Sequence, residues 1–440
     1  MDVPMFLERN TAGKKYNGQY VIGFDLSDTY SQVSYWKVGT EAPETVSVVN
    51  GGQNYNIPTV LCKRNEANQW FYGKDAIKNS EEGEGILLTN LVTQAKTGKS
   101  VILEGEEFDP TRLLALFMKR CLSMLNLLVP AEQIVSFMVT TQTLDYRMVE
   151  ILNEVIPDLQ LHTEHVFFQS HTESFYYYMI YQPEELWSQD VLLFDYSQDY
   201  LKSYRMERNR HTTPVVAYIE RQEFPQFRQV EMPEEENLQQ EMRELLDHQF
   251  YQIVSDCIGT RAISSAFLIG EGFEGDWLKD SLRVLCNNRR VFQGNNLYSK
   301  GACFGAMEKI DQSEIGKQLV FLGNEKLKAN VGMKVYRQGK ESYLALLDAG
   351  VNWFEASRDC EVYLDTGNRL SFLVTPLTGK NVREEEVVLE GLPLREKRTT
   401  RIALSMKMLS ESRVKLEIKD LGFGQIFPSS GQSWTQEFDL

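Results

Sequence analysis

The chain has 440 residues, more than one hydrophobic core usually organises, so two or three domains are expected. With 42% hydrophobic and 11% aromatic residues, the composition is that of a folded protein and excludes extensive intrinsic disorder. The 62 acidic against 46 basic residues give a formal charge of −16, which repels polyphosphate backbones and sets nucleic acid aside as a partner.

In chain order, a polar leader over residues 1–19 precedes Tyr20 to Val38, which reads as an apolar strand, a short polar turn and a second strand rich in Val, Ser and Tyr: a β-hairpin. Strand-like Asn56 to Lys63 follows, then a polar helix from Lys74. Between Pro110 and Leu128 the apolar residues recur at helical spacing and predict a helix packed on a sheet. Next come a strand over Ile134 to Thr140, a helix over Asp145 to Val155, a strand at His165 to Phe168 and an aromatic helical run from Ser174. Val191 to Ser197 is a buried strand that leads into a second candidate hairpin at Tyr200 to Glu207. Val230 to Ile258 opens as an acidic turn and continues as an amphipathic helix, its triplet Glu234 to Glu236 complementing the helix dipole. Ala266 to Leu285 gives strand, glycine turn and helix, and a helix of small residues starts at Asn295.

Strands and helices thus alternate over most of the chain, which predicts an α/β fold with mixed sheets. Beyond about Gln318 the pattern changes to short alternating stretches such as RLSFLVTPL and RIALSMKML. These predict an antiparallel β domain, with the boundary set at 312/313.

Six scattered cysteines form no CxxC pair, and most sit among apolar residues as core fillers do, which fits a reducing compartment. No apolar run reaches signal-peptide or membrane-span length, so a cytoplasmic protein without membrane insertion is expected. The basic run Arg395, Lys397, Arg398 and Arg401 is broken by Glu396 and reads as a solvated loop. His162 and His165 have metal-ligand spacing without a second pair, and G-x-S-x-G is missing, so neither a zinc site nor ordinary hydrolase chemistry is expected.

Taken in this order, the segments resemble the nucleotide-binding domain of DnaK-type heat-shock chaperones and, more broadly, the actin-like ATPase superfamily, in a degenerate bacterial form. Ile22 to Ser31 (IGFDLSDTYS) is similar to the first phosphate motif, an aspartate before a turn whose N–H and hydroxyl groups hold phosphates. The resemblance implies Asp25 as a ligand of Mg²⁺ through water and Ser27, Asp28 and Thr29 at the phosphates. The stretch ending in Ala76 to Asn79 is similar to the segment that supplies a phosphate-contacting lysine, here Lys78. Val191 to Tyr204 resembles the second phosphate hairpin, with Asp195 as its metal-facing aspartate and Ser197 beside the phosphates. Ala266 to Leu278 looks like the adenosine motif, in which Gly270 and Gly272 let the backbone approach the ligand and Phe273 follows. Leu389 to Gly424 is similar to the chaperones' substrate-binding β-sandwich, with no helical lid expected after it.

The fold implied is a two-lobed actin-like ATPase (ribonuclease H-like) domain over residues 20–312 and a sandwich-like all-β domain over residues 313–440. The cofactor implied is ATP or ADP with Mg²⁺, and the partner a peptide or protein at the β domain. Departures from the pattern bear on activity. Tyr196, Ser197, Gln198 and Asp199 replace the family's glycine run, Ser27 replaces a glycine, Ser170 stands at the catalytic glutamate and Lys202 at a second acidic position. Side chains then fill the phosphates' space, and Asp199 adds like charge. His171 and Glu173 are the candidates for a general base, beside Lys78 as catalytic lysine. The expectation is a chaperone-like, nucleotide-responsive binding protein with weak or absent ATP hydrolysis. A nucleotide-independent scaffold on the same fold is the alternative. An active folding chaperone is the third reading, weakened by the replaced glutamate.

Overall fold

Two sheets built on the same plan carry the larger part of the chain. In this computed structural model, which describes residues 14–49, 52–230, 233–377 and 382–440, Tyr20–Asp25 is buried along nearly its whole length. That burial is what a central strand with a parallel neighbour requires. It pairs antiparallel with Tyr30–Lys37 and parallel with Ile134–Thr141, which pairs parallel with Val166–Ser170. In the second sheet Asp190–Asp195 takes the central place, antiparallel to Tyr200–Asn209 and parallel to Ile263–Ile269. Arg290–Gln293 stands where Val166–Ser170 stands in the first sheet. Each central strand therefore ends in an aspartate, Asp25 or Asp195.

The expected hairpins, strands and long helices are present, with shifts that have local causes. The helix at Pro110–Ser123 starts where Asp109 accepts from the Thr111 N–H and Pro110 occupies the first turn. It ends before the expected Leu128 because Met124–Leu127 tighten into a 3₁₀ turn. Ser170 accepts from the Glu173 N–H, so the aromatic helix begins at His171 and not at Ser174. The acidic segment becomes the helix Glu236–Ile258. Residues 1–13 of the expected leader, and Glu231 and Met232 of the acidic turn, lie outside the described residues. Val215–Arg228 is a strand the sequence pattern hides, since Glu220, Arg221 and Glu223 interrupt its apolar residues. Its Pro225 falls in the register slip between Tyr200↔Arg228 and Leu201↔Phe224, where a missing N–H is tolerated.

Two helices of opposite halves cross between the sheets. His171–Ile180 places Phe175, Tyr176 and Met179 in a cluster with Val191, Leu193 and Tyr204 of the second sheet. Leu297–Ile310 places Ala302, Cys303 and Ala306 against Val21, Trp36 and Met138 of the first. The helices meet backbone to backbone, since a Cβ on Gly301 would lie 2.0 Å from the Ser174 carbonyl oxygen; the second helix meets the first sheet as closely, since one on Gly23 would lie 2.2 Å from the Ser299 carbonyl oxygen.

The chain divides into Met1–Phe321 and Leu322–Leu440. The division comes after the expected 312/313 because Leu319–Phe321 pairs with Val215–Ala217 of the second sheet. The second unit is all-β, as expected, with two four-stranded sheets. One runs Lys340–Leu347, Ala329–Arg337, Arg369–Pro376, Arg383–Val388; the other runs Ser357–Leu364, Thr400–Met408, Arg413–Asp420, Ser433–Asp439. Alternation turns Ile402, Leu404, Met406, Val414, Leu416 and Ile418 inward. Among the described residues, no helix is long and apolar enough to cross a membrane.

Candidate functional site: a cleft filled by its own side chains

The two plans bring Asp25 and Asp195 to facing positions at the carboxyl ends of their central strands, where both line one cleft. Both carboxylates are engaged by protein side chains. Asp25 Oδ1 lies 2.7 Å from His171 Nε2, and the Tyr298 hydroxyl donates to Asp195 Oδ2 at 2.9 Å. The imidazole and the phenol stack on each other, 3.9 Å apart and 11° from parallel. His171 opens one crossing helix, and Tyr298 lies in the first turn of the other. Burial, reinforced by Asp195, pushes the Tyr298 hydroxyl well above its ordinary range, so it stays a proton donor. The other oxygen of Asp195 accepts from the Ser197 N–H at 3.0 Å and from its hydroxyl at 2.5 Å.

Polar links flank this stack on both sides. Gln32 Nε2 donates to Asn56 Oδ1 and to the Asn295 carbonyl, each at 2.7 Å, and Asn56 Nδ2 donates to Glu271 at 2.9 Å. Elsewhere in the cleft the Gln142 carboxamide, with its oxygen turned inward, accepts from Lys202 Nζ and Arg221 Nη2 at 2.7 Å. Lys202 is buried, also donates to Gln198 at 2.7 Å, and is held below the ordinary lysine range by desolvation, against the pull of Asp195 and with the help of Arg221. What remains is about 50 Å³ of water-sized space, room for a few waters.

Of the residues expected at a nucleotide site, Asp25, Ser27, His171, Asp195, Ser197 and Gly270 line this cleft. Ser27 is engaged within its own turn, donating to the Tyr30 carbonyl at 2.7 Å. Asp28 turns away from the cleft and accepts from the Val92 N–H at 2.8 Å and the Thr93 hydroxyl at 2.6 Å, holding the helix Leu91–Thr97. Thr29 is exposed, and its carbonyl accepts from the Thr59 N–H at 3.0 Å. Lys78 does not line the cleft; its side chain is 70% exposed on the helix Gly73–Glu81, 3.8 Å from Glu82. Glu173 is buried in its helix, with its N–H on Ser170, and does not line the cleft either.

The adenosine-motif residues are occupied by packing. Gly270 has φ +103°, and a Cβ there would lie 2.3 Å from the Ser197 nitrogen; one on Gly272 would lie 2.2 Å from the Tyr196 ring. Phe273 is fully buried in the second half's core, 5.6 Å from Tyr196 and 5.2 Å from Phe250, ring centre to ring centre. Both glycines thus make room for the turn that follows Asp195. Among the described residues, no group of three or more His, Cys, Asp or Glu is arranged to hold a metal.

In this conformation the residues do not fit a magnesium nucleotide. The two carboxylates are engaged by protein donors, the lysine is elsewhere, and the free space falls far short of the roughly 300 Å³ or more that a ligand of that size needs. Tyr298, Gln142, Gln32, Glu271 and Asn295 complete the site and were not singled out by sequence. Two of them leave a trace there: Glu271 lies between the two motif glycines, and Tyr298 is a bulky polar ring in a helix of small residues.

A family model matches residues 42–324, nearly two thirds of the chain, described as a family of unknown function, DUF5716, C-terminal. The chain belongs to this family. The match takes in Gln142, His171, Asp195, Lys202 and Tyr298, and starts after the hairpin that carries Asp25. Residues 326–440 match a domain of unknown function, DUF8552, which covers almost the whole of the all-β unit. No curated protein matches the chain.

Proposed function

We propose that this chain is a non-catalytic scaffold on the two-lobed actin-like ATPase fold, one that works without nucleotide and presents its all-β unit to a peptide or protein partner. Support for the fold comes from the two sheets of like strand order, the aspartate ending each central strand and the pair of crossing helices. The observation that carries the functional reading is the His171–Tyr298 stack seated between Asp25 and Asp195.

A hydrolytic reading needs a base beside an attacking water. His171 has its cleft-facing nitrogen on Asp25, and Glu173 lies outside the cleft. The nucleotide-responsive reading needs the cleft first to open. The partner is assigned to the all-β unit because that unit lies outside the cleft and packs as a separate body.

Thermal unfolding of the full chain with and without millimolar Mg-ATP tests the proposal. No change in Tm is expected. Binding at a hundred times Kd would add about 2.7 kcal/mol, and a rise of that order would overturn the scaffold reading in favour of the nucleotide-responsive one.

A further inference from the structure

We propose that the ridge of Leu238, Met242 and Leu245 on the helix Glu236–Ile258 docks a basic amphipathic helix of a partner protein. The proposal goes beyond the scaffold reading and does not depend on it, because neither the cleft nor the all-β unit enters. The helix has 23 residues, yet it buries none before Leu246. From there on, Leu246, Phe250, Ile253, Val254 and Cys257 lie in the core of the second half. Met242 rests on the edge of that core, while Leu238 and Leu245 are 45% and 50% exposed.

Leu238, Met242 and Leu245 follow each other at spacings of four and three, so they stand on one face of the helix. Continued toward the C-terminus, the same face carries Gln249 and Gln252, both exposed. The strip is therefore polar where the helix is anchored in the core and leucine-bearing where it is not. A single exposed leucine needs no explanation. Two in line with Met242, confined to the unanchored half of the strip, form the spaced apolar anchors by which one helix seats on another.

The charges beside the ridge choose the occupant. Glu235 and Glu241 each stand three residues from Leu238, and Glu241 also stands four from Leu245, so both flank the ridge; Glu234, Glu236 and Glu244 are close by in the chain. All five are exposed, and among the described residues none of them has an ion pair. The helix dipole accounts for those in the first turn, but not for Glu241 and Glu244 beyond it. Arg243 turns the other way, lining a hollow with His248 and Lys279. A second copy does not suit this face, since two such ridges would bring like charges together. Acidic and basic residues balance over residues 322–440, so the whole formal charge of −16 falls on residues 1–321 and adds to that repulsion. Lysines or arginines bordering an apolar stripe would meet these glutamates while the stripe covers the leucines.

Fluorescence anisotropy of the full chain with a labelled helical peptide of leucine and lysine, apolar on one face, tests this against a peptide of the same composition scrambled to leave no apolar face. Affinity for the first peptide is expected to fall roughly tenfold in Leu238→Ser with Leu245→Ser, and by a similar factor in Glu235→Gln with Glu241→Gln. The glutamate pair leaves the apolar ridge in place, so it remains informative should the serine variant fold poorly. Glu384→Gln with Glu385→Gln, in an acidic strand of the all-β unit, should change nothing. Equal binding of the scrambled peptide, or an equal loss in the all-β variant, would overturn the proposal by reducing it to diffuse charge attraction, and no binding would overturn it outright. A concentration-dependent dimer in sedimentation that disappears in the serine variant would overturn the choice of partner and identify a second copy on this face. Failure of the scaffold reading is separable, because a response to Mg-ATP would leave these affinities as they are.

Discussion

Two regions of this protein bury aspartates, and they answer them differently. In the all-β unit, Asp420 accepts from both terminal nitrogens of the Arg395 guanidinium at 2.7 Å, together with the N–H groups of Gly422 and Ser430. In the cleft, Asp25 and Asp195 are answered by an imidazole and a phenol stacked on each other. Breaking the first arrangement strands a buried cation or a buried anion, so it is committed to structure. The second rests on two ring side chains from different helices, each meeting one carboxylate. The lesson is that burial of a carboxylate alone does not mark a site; the kind of partner does.

The largest effect is expected where commitment is deepest. Arg395→Ala should cost the all-β unit about 3–5 kcal/mol in denaturant unfolding, since it leaves Asp420 buried and unpaired. The Arg395 hydrogen bonds hold the Asp420 carboxyl well below the ordinary carboxylate range. Its folded pKa is depressed, so its contribution is complete above an unfolded value of about 4 and fades as pH falls below that toward the folded value. Unfolding midpoints followed from pH 6 downward should show this acid loss in wild type and not in Asp420→Asn.

Next comes Tyr196→Ala. Tyr196 fills the second half's core beside Phe227 and Phe273, so its removal should cost about 3 kcal/mol, read as a lower midpoint for the first unit. Were Tyr196 instead a ligand-facing substitute for glycine, stability would barely change. Asp28→Ala should cost about 1 kcal/mol through loss of the bonds to Val92 and Thr93. Lys78→Ala should leave stability within about 0.5 kcal/mol, as expected of an exposed side chain with one distant ion-pair partner.

Much of the frame was legible in the sequence because it depends on local pattern. The apolar strands ending in Asp25 and Asp195, the Asp145-capped helix Tyr146–Leu159 and the alternating C-terminal strands follow from periodicity and caps. Motif order also singled out both aspartates, His171 and Ser197, which line one cleft together. What sequence order does not carry is the direction of a side chain after a turn. Asp28 and Ser197 occupy similar stretches of two hairpins, yet one reaches out to a neighbouring helix and the other folds back on Asp195. Lys78 lies away from the cleft for the same reason: its helix position is readable, but the face it takes is set by packing of Gly73 and Ala76. Tyr298 was missed because its partner, His171, is far away in sequence, and stacking between distant rings leaves no local signature.

The most direct test of the central claim, that the cleft is filled by its own side chains, is a crystal structure of the full chain grown with millimolar Mg-ATP. The account predicts His171 Nε2 still about 2.7 Å from Asp25, Tyr298 still on Asp195 and only water in the space between. A nucleotide seated between the halves, with both carboxylates turned to a metal and the rings parted, would contradict it.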